Sequence, residues 1–117
     1  MRRVVKVPFP ADPLAQDAAS FGVATRAART ASGMTIADAA LLLGSSKQTL
    51  ADLETAKASV GLTTALKVAS AFGVGVFAVA PEEREVVRRH ILSERHDSIR
   101  HMAVLNTYLM GSVTTPT

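Results

Sequence analysis

The feature that most constrains this chain is a single glycine, Gly44, set between two short apolar-periodic stretches that each carry their own helix start. Ahead of it, Thr35 is placed to cap a helix, and Asp38, three residues on, answers it as in a capping box. Ala39, Ala40, Leu42 and Leu43 supply the apolar face there. Beyond the glycine, Ser45 and Ser46 offer a fresh cap, and Leu50 and Leu53 stand three residues apart on the next short helix. Ala40 is small enough for two helices to cross closely. Gly44 takes a left-handed turn without a Cβ penalty, and the two leucines plug the angle between the helices. The spacing predicts a helix-turn-helix between about Thr35 and Glu54.

The flanks read as further helices. Residues 1–13 form an extended arm, because Val4, Val5, Val7 and Phe9 favour extended backbone while Pro8, Pro10 and Pro13 forbid a helix. Asp12 followed by Pro13 predicts the start of the first helix, with Leu14, Ala18, Phe21 and Ala28 at helical spacing and Gly33 at its end. After a loop from Lys57 to Gly61, the residues Leu62, Leu66, Ala69 and Phe72 predict one face of a fourth helix that stops at Gly73. Val74, Val76, Phe77 and Val79 crowd seven residues, which predicts a short β-strand over 74–80. Pro81 ends it and opens a last helix whose Glu82, Glu83 and Glu85 complement the positive end of the helix dipole. Val87, Ile91, Met102, Leu105 and Leu109 continue that helix. Its polar centre, 93–98, leaves one long helix and two kinked ones both open. The expected architecture is all-α, about five helices with one short strand. It divides into an arm (1–13), a helix-turn-helix domain (14–80) and a C-terminal helical extension (81–117).

Composition closes off several function classes. An apolar fraction of 48% in 117 residues is ample for a packed core, so a disordered chain is not expected. No run of about 18 apolar residues is free of charge, and the apolar stretch after Arg2 and Arg3 is too short for an export signal. A cytoplasmic protein is therefore expected. With no cysteine there is no disulfide framework and no thiolate nucleophile or zinc ligand. His90 with Glu94, and Asp97 with His101, have the spacing that sets two ligands on one helix face. Salt bridging with Arg95 and Arg100 is the simpler reading. We expect no enzyme activity, no metal and no cofactor. The net charge of +3 and a pI near 9.8 permit an anionic partner without demanding one.

Phe21-Gly22, Arg26, Arg29, Gly33, Thr35, Ala40, Gly44, Ser46, Leu50, Leu53 and Glu54 together resemble the Cro/C1-type (XRE) helix-turn-helix family over roughly residues 14–80. The resemblance implies a lambda-repressor-like domain and a sequence-specific DNA-binding transcriptional regulator, a repressor, whose helix beginning near Lys47 enters the major groove. Lys47, Gln48 and Thr49 are then expected at base edges, since glutamine suits adenine, lysine guanine and threonine a thymine methyl, and Asp52 can accept from cytosine. Thr35, Ser46, Lys57 and Arg26 are expected at phosphates, together with the amides of the two helix starts. Arg2, Arg3 and Lys6 form a possible DNA-contacting arm. In this family the residues matching Arg29 and Glu54 commonly form a partly buried ion pair between the first and third helices, a structural assignment. Departures from the family pattern are Ile36, where glutamine is frequent, and Ala56, where glycine is frequent.

One short reading helix rarely gives enough specificity, so a homodimer on a palindromic operator of double-stranded DNA is expected. Val74, Val76, Phe77 and Val79 are the expected dimer contacts. The stretch from Gly61 to Val68, followed by the apolar segment, resembles the HipB-type antitoxin branch. That implies an alternative in which the chain neutralises a cognate toxin protein and autoregulates its operon. A second alternative is a protein-interaction module without DNA binding.

Overall fold

The computed structural model describes residues 3–109, with side chains described through residue 97. Five α-helices follow in order: α1 (Ala18–Ala31), α2 (Ile36–Leu43), α3 (Lys47–Thr55), α4 (Leu62–Ala71) and α5 (Arg84–Leu109), the last entered through a 3-10 turn at Pro81–Glu83. The chain divides between Ala78 and Val79 into two compact units. The first holds α1 to α4; the second holds α5.

Helix α1 begins later than Asp12 and Pro13 predict. Asp12 is used locally instead, its Oδ1 accepting from the Leu14 N–H at 2.9 Å, and Leu14 lies ahead of the helix. The cap is Asp17, whose carboxylate accepts from the Ser20 N–H at 2.8 Å while the Ser20 hydroxyl accepts from the Asp17 N–H at 3.4 Å. These two bonds satisfy orphan donors reciprocally, with serine in the place more often held by glutamate. The arm meets the same helix where the Val7 N–H donates to Thr30 Oγ1 at 3.1 Å.

The core of the first unit is built from Ala39, Ala40, Leu50, Leu53, Ala65 and Val68, with Phe21, Met34, Ile36, Leu43, Val60 and Phe72 packed around it. Small residues at 39, 40 and 65 let the helices approach, while Leu50 and Val68 fill the centre and are almost completely buried. Two predicted faces turn out differently. On α2 it is Ala39 and Ala40 that face inward, and Leu42 is exposed. On α4 the buried stripe is Ala65, Val68 and Ala69, leaving Leu62 and Leu66 exposed. Positions 65, 68, 69 and 72 centre the buried face, and Leu62 and Leu66 flank it on one side, toward solvent.

The predicted strand over 74–80 is absent: these residues have no regular structure, and no strand occurs among the described residues. Their β-branched composition favours extended backbone, but a strand needs a ladder partner, and none pairs with this segment. Val76 and Phe77 are left exposed. In the second unit α5 runs unbroken through its polar centre, which settles the alternative of one helix against two in favour of one. No helix among the described residues is long and apolar enough to cross a membrane.

Candidate nucleic-acid interface

The turn between α2 and α3 sets the geometry of the site. Gly44 caps α2 in the left-handed conformation, φ 63° and ψ 33°, which is the backbone that reverses direction most cheaply without a Cβ. The Ser45 N–H donates to the Ala40 carbonyl at 2.9 Å, closing the end of α2. Ser46 then caps α3, its hydroxyl accepting from the Thr49 N–H at 3.0 Å and sharing a hydrogen bond with the Thr49 hydroxyl at 2.8 Å. At the start of α2, Thr35 Oγ1 accepts from the Asp38 N–H at 3.1 Å.

Helix α3 is gripped from one side and bare on the other. Leu50, Leu53 and Glu54 are buried, whereas Lys47 and Gln48 are exposed and Thr49 is half-buried. The first turn of α3 therefore presents a cation, a carboxamide and a hydroxyl together with N–H groups that have no partner within the helix. Asp52 lies one turn beyond Gln48 on the same side, and Gln48 Nε2 donates to Asp52 Oδ1 at 2.9 Å. Among the other candidates, Lys57 is exposed just past the left-handed Ala56 that ends α3, and Arg26 is exposed on α1. In the arm, Arg3 and Lys6 are exposed, while Arg2 lies outside the described residues.

The opposite side of α3 is locked to α1 by two features. Arg29 and Glu54 are both buried, at 7% and 6% exposure, and make two parallel hydrogen bonds, Nε to Oε2 at 2.7 Å and a terminal nitrogen to Oε1 at 2.9 Å. The remaining guanidinium nitrogen donates to the Met34 carbonyl at 2.6 Å, tying in the turn before α2. No buried side-chain polar atom among the described residues lacks a partner. The second feature is Gly22, where an added Cβ would stand 2.4 Å from the Leu53 carbonyl oxygen and 2.6 Å from that of Glu54. These are last-turn carbonyls of α3, which have no partner within their own helix. Sequence reasoning counts Gly22 among the residues of the family resemblance without giving it a role; the local signal is a glycine placed inside a helical apolar pattern.

A corner at a left-handed glycine, a short helix held by its apolar side, and an exposed polar first turn define a helix-turn-helix. Residues 26–77 match the family model described as helix-turn-helix, and that segment is similar to helix-turn-helix domains of the Cro/C1 (XRE) type. No curated protein and no solved structure matches the chain at a significant level.

Proposed function

We propose that the chain is a sequence-specific repressor that reads a palindromic operator as a homodimer, with the first turn of α3 in the major groove. The observation that carries this reading is the division of α3: Lys47 and Gln48 exposed at its start, Leu50, Leu53 and Glu54 buried behind them. A helix held that way offers its N-terminal end to a groove without surrendering any core contact. Lys47, Gln48 and Thr49 then address bases. Phosphates are held by the α2 and α3 N-terminal amides, by the Thr35 and Ser46 hydroxyls, and by Lys57 and Arg26. Arg3 and Lys6 add a second basic element, with Arg2 beside them in sequence. The exposed Val76 and Phe77, next to half-buried Val74 and Val79, support a subunit contact through this segment.

Binding of duplex from the chain's own promoter region tests the reading. Lys47→Ala and Gln48→Ala are each expected to weaken binding about tenfold or more while leaving the unfolding midpoint unchanged, and Lys47→Ala to flatten the salt dependence by about one ion if it meets a phosphate. If no such duplex is retained at low salt, the proposal fails. A monomeric size both free and on DNA rules out the two-half-site arrangement.

A further inference from the structure

Gln48 and Asp52 are four residues apart on α3, close enough for the 2.9 Å hydrogen bond from Gln48 Nε2 to Asp52 Oδ1. A carboxylate only accepts, so this bond fixes the sense of the carboxamide, with nitrogen toward Asp52 and oxygen away from it. A glutamine side chain carries two N–H donors and one carbonyl acceptor. With one N–H committed to Asp52, Gln48 has one donor and one acceptor left to offer.

That remainder matches one purine and not the other. Adenine presents an acceptor, N7, beside a donor, the N6 amino group, whereas guanine presents two acceptors, N7 and O6. An unrestrained glutamine can turn both N–H groups toward guanine. A glutamine held by Asp52 has a single N–H to give, and its oxygen then faces a second acceptor. We propose that Asp52 is a specificity-determining positioning residue, which confines Gln48 to adenine and discriminates against guanine by occupying one of its two donors. The inference rests on the reading that the first turn of α3 meets base edges. It gives Asp52 an action through Gln48, distinct from direct contact with cytosine. An exposed pair of this kind at four-residue spacing contributes little to the fold, so its removal leaves the domain intact for the test.

Selection of duplexes from a randomised pool by the full chain, followed by sequencing, provides that test. The unsubstituted protein is expected to enrich a motif, and Gln48→Ala to lose an adenine preference at one position in it. Asp52→Ala is expected to lower the adenine-to-guanine ratio there about tenfold, with preferences elsewhere and the thermal midpoint unchanged. Asp52→Glu, which keeps an acceptor-only group, retains the ratio; Asp52→Asn, whose amide can turn over, relaxes it. In a Gln48→Ala background, Asp52→Ala has no further effect on that position. An unchanged ratio in Asp52→Ala overturns the proposal, as does an equal loss in the Gln48→Ala background, which would make Asp52 a direct reader. A pool from which nothing is enriched removes the DNA-reading assignment itself, and this proposal with it.

Discussion

Arg29 and Glu54, 25 positions apart in the chain, meet as a two-bond pair between α1 and α3, with a third guanidinium bond to the Met34 carbonyl. The pair is buried, so each charge relies on the other for the solvation that water no longer supplies. Either Glu54→Ala or Arg29→Ala is expected to cost about 3–5 kcal/mol because it strands the remaining charge. Chemical denaturation measures this. The joint replacement Arg29→Met with Glu54→Leu is expected to cost less than either single change. A joint cost equal to the sum of the two would show that the residues act separately.

Gly22 permits the crossing that brings those charges together. An added methyl would meet the Leu53 and Glu54 carbonyls at 2.4 and 2.6 Å, and backbone cannot step aside as a flexible side chain can. Gly22→Ala is expected to destabilise by about 1–3 kcal/mol through overpacking, despite alanine's better helix propensity. An unfolding midpoint at or above that of the parent protein would contradict it.

Ala56 ends α3 at φ 54°, the one non-glycine residue with positive φ among the described residues. A left-handed conformation costs an L-residue about 1–2 kcal/mol, part of which glycine gives back as greater freedom in the unfolded chain. Ala56→Gly is therefore expected to stabilise the domain by about 0.5–1 kcal/mol. Thermal unfolding decides, and a lowered midpoint counts against it.

The Asp17 carboxyl is held below the ordinary aspartate range, chiefly by the backbone hydrogen bond from Ser20 and then by the Ser20 hydroxyl. A folded-state pKa below the unfolded one gives a contribution that is complete above the unfolded value and is lost as pH falls through the folded one. Stability is thus expected to decline below about pH 4, and to decline less in Asp17→Asn, which keeps a capping side chain without the titration. Parallel acid-unfolding curves for the two proteins would refute this.

The parts of the fold written in short-range chemistry were the legible ones. Thr35, Gly44 and Ser46 mark their helix ends through caps that span three residues or through one backbone conformation, and pattern reading finds such signals. The start of α1 misleads because Asp12 with Pro13 satisfies a local turn as well as a helix cap, while the true Asp17 box uses an unobtrusive serine. The segment 74–80 misleads for a different reason: β-branched residues record a preference for extended backbone, and pairing depends on a neighbour the segment does not name. On α2 and α4, runs of leucine and alanine fit more than one helical face, so Leu42, Leu62 and Leu66 look as buried as the alanines that are. Arg29 with Glu54 is reachable only through the family resemblance, since no local pattern links residues so distant. The Gln48 to Asp52 bond was open to sequence as a four-residue spacing, but its sense required atoms.

The bond from the Val7 amide to the Thr30 hydroxyl turns the N-terminal stretch from a free tail into a leash. Chain extends by at most about 3.5 Å per residue, so Lys6 stays beside the pivot while Arg3, four residues ahead of it, sweeps a radius of about 14 Å. Whatever anion those two side chains meet must come within a side chain's length of that circle around the C-terminal half of α1.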